Sequence, residues 1–228
     1  VRDLPTYSKL LNPADFNLLD PELGFLYGMK AHLAPAPPGI PHPSCFWEYA
    51  LALRCCTRSD AQTVLDVGGG GGLFSPAAAR CGADVTQIDP GDCAARVAAQ
   101  GALIGQNIRF GNSDLQSWRE GPYDVVACLS VIEHVGDDFG FADRLLGKVR
   151  PGGLLVLTAD FHPTGKRLVG GHLRTYSESS LRALMALLGR LGRPYDAVGC
   201  WRGEPDWSHF SPWVYDYTFA SLVLRRNP

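Results

Sequence analysis

Thr63-Val64-Leu65-Asp66-Val67-Gly68-Gly69-Gly70-Gly71-Gly72 joins a short apolar run to five consecutive glycines. The first half has the length and β-branched content of a buried strand. The second half is main chain almost without side chains. Glycine reaches positive φ without steric penalty, and without a Cβ it lets a ligand lie against the backbone. Five flexible residues in a purely structural turn would cost ordering entropy for no gain. The stretch therefore predicts a strand ending in a loop that cradles a ligand, with a nucleotide-like molecule as the first candidate.

Outward from this run, apolar stretches alternate in type. Residues 63–67, 84–88, 107–110, 123–129 and 153–159 are strand-like, and 73–80, 93–100, 138–149 and 178–191 are helix-like. That alternation predicts an α/β fold, a doubly wound, mostly parallel seven-stranded sheet with helices on both faces. Right-handed crossovers bring the loops after the strands to one edge, where ligands bind in such sheets. The last two apolar stretches, 195–201 and 214–224, follow one another without a helix between them. They are expected to pair antiparallel and supply an antiparallel edge strand.

The first sixty residues differ in texture. Pro13, Pro21, Pro35, Pro37, Pro38, Pro41 and Pro43 break them into short pieces, so 1–60 is expected to form a lid or cap on a main domain of 61–228. One short helix is expected over 21–30. A second, 45–57, has Ser44 as its N-cap and Glu48 one place beyond the ideal capping-box position. Phe46, Tyr49, Ala50 and Leu53 give that helix an apolar side, which packs on the main domain or touches substrate.

Composition narrows the function classes. With 228 residues, 46% of them hydrophobic, the chain can bury a full core. A net charge of −2 without blocks of like charge gives no broad footprint for nucleic acid. Seven cysteines without C-x-x-C spacing suit neither a disulfide framework nor a structural zinc site, and no metal is expected. No stretch approaches the ~18 apolar residues needed to span a bilayer, and the first ten residues do not read as a signal peptide, so a cytoplasmic location is expected.

Asp66 closes the first strand and Asp89 the second, twenty-three positions on, close to the ~20-residue spacing of an acid that grips ribose hydroxyls. The dinucleotide fingerprint G-x-G-x-x-G fails, however. In the three frames that start at Gly68, Gly69 and Gly70, its last position is Leu73, Phe74 or Ser75. What fits is D-x-G-x-G-x-G, as Asp66, Gly68, Gly70 and Gly72.

In this the chain resembles the class I S-adenosylmethionine-dependent methyltransferases, over about residues 63–159. Ile88-Asp89-Pro90 is similar to the end of that family's second strand, and Asn112-Ser113-Asp114-Leu115 to its adenine-binding loop. The run from Asp124 to Val135 resembles its fourth strand and the turn after it, and Arg150-Pro151-Gly152-Gly153 the turn before its fifth. The resemblance implies that Asp66 faces the methionine ammonium, and that Gly68, Gly70 and Gly72 let the main chain touch the methionine and ribose. It further implies that Asp89 accepts from the ribose hydroxyls and Asp114 from the adenine amino group, with Leu115 and Leu129 beside the donor. Asp114 has a second reading, as a turn residue capping its own loop.

The function expected is methyl transfer from S-adenosylmethionine to an oxygen or nitrogen of a small-molecule acceptor by in-line displacement. The alternatives are methylation of a protein or nucleic acid, and a non-catalytic scaffold or regulator that only binds S-adenosylmethionine. Alignment of nucleophile and methyl can supply roughly 7–11 kcal/mol of such a barrier, and a general base adds about 10²–10⁴ in rate when the nucleophile carries a proton. His134, His172 and Tyr176 are the catalytic candidates. His134 follows the fourth strand, with a donor-orienting role as its other reading. His162 and His172 flank the loop after the fifth strand, where a solvated histidine is the plainer reading of either. Tyr176 and Arg174 are placed to orient an anionic or phenolic substrate, or to pair at the surface. The aromatic segment from Trp201 to Trp213 makes an acceptor wall, a dimer contact or a satellite core, and nothing in the sequence fixes the oligomeric state.

Overall fold

The computed structural model describes residues 19–33, 45–165, 174–190, 195–197 and 218–226. Among the described residues two helices, α1 (Asp20–His32) and α2 (Cys45–Arg58), precede the first strand, β1 (Thr63–Val67). The chain then runs through α3 (Phe74–Arg80), β2 (Asp84–Ile88), α4 (Ala94–Ile104), β3 (Ile108–Gly111) and β4 (Tyr123–Cys128). A single 3₁₀ turn, Ile132–His134, leads to α5 (Asp138–Lys148), β5 (Val149–Phe161), α6 (Glu178–Arg190), β6 (Tyr195–Ala197) and β7 (Thr218–Arg226).

The seven strands form one sheet in the order β3-β2-β1-β4-β5-β7-β6. The first five are parallel, in registers such as Thr63 opposite Asp84 and Val64 opposite Val125. β7 is the antiparallel strand, paired with β5 from Leu154 opposite Arg225 to Phe161 opposite Thr218. It lies one place in from the edge, because the three-residue β6 adds outside it. The expected antiparallel pair is present, with its members' positions refined.

Alternation along each strand explains the two-faced core. Val64, Val125, Ala127, Leu154 and Val156 point to the face covered by α1 to α4. Their neighbours Leu65, Val126, Cys128, Leu155 and Leu157 point to the face covered by α5 and α6. β5 starts earlier than the sequence suggested. Val149 already pairs with Tyr123, and a register irregularity follows between Tyr123 and Val125. With Gly152 at φ 77°, the Arg150-Pro151-Gly152-Gly153 signal is a kink inside the strand rather than a turn before it.

The described part of the first sixty residues packs into the same apolar cluster as the sheet. Phe46, Trp47, Ala50, Leu51 and Leu53 of α2 are all buried there, and Arg54 ties α2 to Glu22 of α1 through two hydrogen bonds of 2.9 and 2.5 Å. Ser44, the expected cap, lies outside the described residues. At the opposite end of the sheet from the glycine loop, Asp124 accepts from the amides of Gln62 and Thr63 at 2.9 and 2.7 Å, and pairs with Arg150. Burial alone would raise this carboxyl, but those amides outweigh it and hold it below its usual range. Among the described residues, no helix is long and apolar enough to cross a membrane.

Candidate active site

Strand order reverses between β1 and β4, since the chain winds outward to β2 and β3 before returning. A crevice forms outside the strand ends at such a switch, and the glycine loop lies there. Gly68 N–H donates to Ile88 O at 2.8 Å, and Gly70 N–H to Asp89 Oδ2 at 3.0 Å. Gln87 Nε2 donates to Gly70 O at 2.8 Å, closing the loop onto β2. Gly68 and Gly70 have φ of 73° and 53°, the left-handed region where a side chain is strained. A Cβ on Gly68 would also stand 2.5 Å from Val131 Cγ2. Gly69 and Gly71 are close-packed for a different reason, because Cβ atoms there would run into the Asp66 carboxylate and the Arg96 guanidinium. The glycine run therefore serves contacts within the protein as well as any ligand.

Asp66 is 3% exposed and accepts from Ser75 Oγ at 2.7 Å. Burial pushes its carboxyl up to about 7, the Ser75 bond opposes that rise, and the nearby Asp89 charge adds to it. A carboxyl held this way is primed for a cation, whose arrival favours the ionised form. Asp89 accepts from Gly70 N–H through one oxygen and from Gly91 N–H at 2.7 Å through the other, so it is fixed at the lip of the crevice with lone pairs to spare. Beside it opens an apolar cleft of about 240 Å³, lined by Val67, Gly68, Ile88, Leu115, Val131 and Phe141. Its shape and lining suit a flat heteroaromatic ring. Asp114 stands at the cleft and accepts from Ser117 N–H at 2.7 Å, a bond that lowers its pKa, so it caps its own turn as well as lining the site. Leu129 follows β4, half-buried against the cluster under α1 and α2.

A second group of residues meets at the ends of β4 and β5, and sequence reasoning missed most of it. Ser130, at φ 51°, is held by its N–H to Thr158 Oγ1 at 3.0 Å and by its Oγ to Glu48 Oε1 at 2.6 Å. Thr158 Oγ1 also donates to Glu48 Oε1. Glu48 thus reaches across to the ends of β4 and β5. It is 1% exposed, and burial pushes its carboxyl up to about 7 against the bonds from Ser130 and Thr158. Glu133, also 1% exposed, accepts the Asp160 N–H at 3.3 Å through Oε1, while its Oε2 has no hydrogen-bond partner among the described residues. Burial raises both Glu133 and Asp160, and for Glu133 the Asp160 charge adds to the rise. No local sequence signal marked Glu48, whose partners lie on the turn after β4 and on β5.

Of the catalytic candidates, His134 and Tyr176 lie among the described residues. His134 is exposed at the end of the 3₁₀ turn, and partial burial lowers its pKa. His162 follows β5, and its Nδ1 accepts from Thr164 N–H at 3.1 Å. His172 and the segment from Trp201 to Trp213 lie outside the described residues. Tyr176 is 3% exposed, and its hydroxyl donates to Asp138 Oδ2 at 2.9 Å. Burial and the neighbouring Asp138 raise that phenol. Arg174 pairs with the same Asp138 oxygen at 3.1 Å and donates to Val135 O at 2.9 Å. Arg174 and Tyr176 therefore clamp the loop after β4 from below.

Comparison with known proteins agrees with this geometry. The family of proteins described as having a methyltransferase domain matches residues 44–189, more than half of the chain. A ubiquinone biosynthesis O-methyltransferase of Shewanella pealeana is 36% identical over 126 residues, 54% of this chain and 50% of the relative. One from Psychrobacter arcticus is 40% identical over 103 residues, 42% of this chain and 40% of the relative. The chain thus spans half or less of the length of these curated relatives. Among solved structures, the Burkholderia thailandensis 1,6-didemethyltoxoflavin-N1-methyltransferase, with bound 1,6-didemethyltoxoflavin and S-adenosylhomocysteine, superposes with TM-score 0.65 at 16% identity, over 98% of this chain and 94% of that one. The N-methyltransferase NodS of Bradyrhizobium japonicum, in complex with S-adenosylhomocysteine, gives 0.60 at 16% identity, over 90% and 98%. At such identity these two share the fold alone. With the glycine loop, the paired acids and the topological switch in place, the extent of the family match makes this chain a member of the methyltransferase-domain family.

Proposed function

We propose that the protein transfers the methyl group of S-adenosylmethionine to a nucleophilic oxygen or nitrogen of a small-molecule acceptor. The observation that carries this reading is the bond of Gly70 N–H to Asp89 Oδ2, which closes the glycine loop against the second strand-end acid beside the apolar cleft. The donor fits the residues present. Asp66 is a buried carboxylate suited to an ammonium, Asp89 keeps acceptor capacity for hydroxyls, and the cleft between Leu115 and Val131 takes an adenine-sized ring. When bound, the donor supplies a methyl carbon already activated by a sulfonium, so the chain's task is alignment and exclusion of water. In this proposal Leu115 and Val131 would line the adenine ring, Asp66 would hold the ammonium and Asp89 the ribose hydroxyls. Glu48 holds Ser130 and Thr158 as the wall between donor and acceptor. Asp138, Arg174 and Tyr176 hold that wall in place, and His134 orients at its rim.

The curated relatives and the toxoflavin enzyme carry names of small-molecule methyltransferases, which supports a small acceptor here. Calorimetry with S-adenosylhomocysteine tests the reading. The wild type should bind it, and Asp89→Ala should bind it several-fold more weakly with the fold intact. Tight binding of NADH together with no binding of S-adenosylhomocysteine would overturn the proposal.

A further inference from the structure

Glu48, Glu133 and Asp160 lie near one another at the ends of β4 and β5, Glu48 bonded to Thr158 and Glu133 to the Asp160 amide, yet their carboxylates are not equally provided for. Glu48 is satisfied by Ser130 and Thr158. Glu133 is not, since Oε1 takes one 3.3 Å bond from the Asp160 amide while Oε2, on a residue 1% exposed, has no partner among the described residues. Asp160, at 8%, is the most open of the three. A buried carboxylate oxygen left without a donor is costly, roughly 1–3 kcal/mol or more. An arrangement that keeps one beside two further acids calls for a ligand bearing both N–H donors and positive charge.

The chemistry of that ligand is narrow. Among the described residues no group of three His, Cys, Asp or Glu side chains, these acids included, is arranged to hold a metal ion. A neutral hydroxyl brings one donor and no charge, whereas a protonated amine brings two or three donors and a charge that offsets the desolvated acids. We infer that Glu133 and Asp160 form a subsite for a cationic nitrogen, and that the acceptor is therefore an amine. This deepens, and rests on, the methyl-transfer reading above. An ammonium held there gives one N–H proton to a carboxylate oxygen of the pair. The freed lone pair then forms the new N–C bond as the donor's C–S bond breaks, with that electron pair staying on sulfur.

A matched pair of probes tests the subsite without knowledge of the natural acceptor. The affinity of the full chain for 2-phenylethylamine and for 2-phenylethanol would be measured by calorimetry at neutral pH, with and without S-adenosylhomocysteine. The amine should bind at least ten-fold more tightly than the alcohol. Glu133→Gln, which keeps the acceptor for the Asp160 amide, should abolish that preference while leaving S-adenosylhomocysteine affinity unchanged, and Asp160→Asn should do the same if the first variant folds poorly. Equal or undetectable binding of the two probes to the wild type, or a preference that survives both substitutions, would overturn the subsite. Failure of S-adenosylhomocysteine to bind the wild type would instead count against methyl transfer, since the amine preference is also read in its absence.

Discussion

Glu48 Oε1 lies 2.6 Å from Ser130 Oγ, so a residue on the helix before the first strand holds the second residue beyond the fourth. Ser130 needs holding. Its φ of 51° is uncommon for a residue with a side chain and costs on the order of 1–3 kcal/mol unless its surroundings fix it. The N–H bond to Thr158 and the side-chain bond to Glu48 are those surroundings. The consequence is mechanical, because Val131 on the cleft wall and Glu133 in the acidic group are the next residues along the same turn.

Glu48→Ala should therefore lower stability by about 2–4 kcal/mol, since it leaves the Ser130 and Thr158 hydroxyls without their acceptor in a buried site. Glu48→Gln, which preserves an acceptor, should cost less than half of that. Urea unfolding of the two variants checks the order, and equal losses would mean that packing volume, not the hydroxyl bonds, is what Glu48 contributes.

The pH dependence of stability follows from the same carboxyl. Its ordinary value is 4.5, and burial in the folded protein raises it to about 7. Between those values the folded state binds more protons than the unfolded one, so stability falls as pH rises through this window and levels off above it. For Glu48 alone the fall is about 3 kcal/mol at most. Asp66, also raised to about 7, acts in the same direction. The unliganded protein should be more stable at pH 5.5 than at pH 8, and Glu48→Gln should flatten that slope.

The parts of this molecule that sequence made legible are those with a local cause. The strand before the glycines, the acids at the ends of β1 and β2, and the alternation of strands and helices each depend on neighbours in the chain, and β1 and β2 fall where the pattern placed them. Glu48 was illegible for the opposite reason. Its partners Ser130 and Thr158 are 82 and 110 positions away, and in a helix Glu48 reads as an ordinary solvated acid until the packing of Phe46 and Trp47 draws it inside. Tyr176 shows a related limit. Its place after β5 suggested chemistry, whereas its bond to Asp138 depends on the start of α5, 38 positions earlier.

Tyr176→Phe separates a clamp from a catalytic group. Loss of the bond to Asp138 should cost about 1 kcal/mol of stability and change kcat by less than ten-fold once the variant is folded. A fall of a hundred-fold or more, with unchanged stability, would make the phenol a participant in the reaction.

Alanine at the two left-handed glycines of the glycine loop, Gly68 and Gly70, should give unequal losses. Gly70 has only the Asp89 carboxylate near its vacant Cβ position, at 4.0 Å, so Gly70→Ala pays about 1–2 kcal/mol for the backbone alone. Gly68→Ala adds a collision with Val131 and should lose more stability, with S-adenosylhomocysteine affinity falling as the cleft wall is displaced. Adding Val131→Ala should recover part of the stability in Gly68→Ala and none in Gly70→Ala. A double-mutant cycle measures that difference.

Asp66 ties donor binding to pH with a definite sign. The free carboxyl is raised to about 7 by burial, and a cationic ligand is held by its ionised form. Affinity for S-adenosylhomocysteine, whose amino group is cationic in this range, should therefore rise as pH increases from 5.5 toward 7 and flatten above it. The slope should approach ten-fold per pH unit at the acid end. Asp66→Asn keeps the size of the side chain and an acceptor for Ser75 but removes the charge, so it should bind at least ten-fold more weakly at pH 8 and lose the pH dependence. If the wild-type affinity were flat across this range, Asp66 would be a structural acid served by Ser75, and the ammonium would have to be held by another group at the crevice.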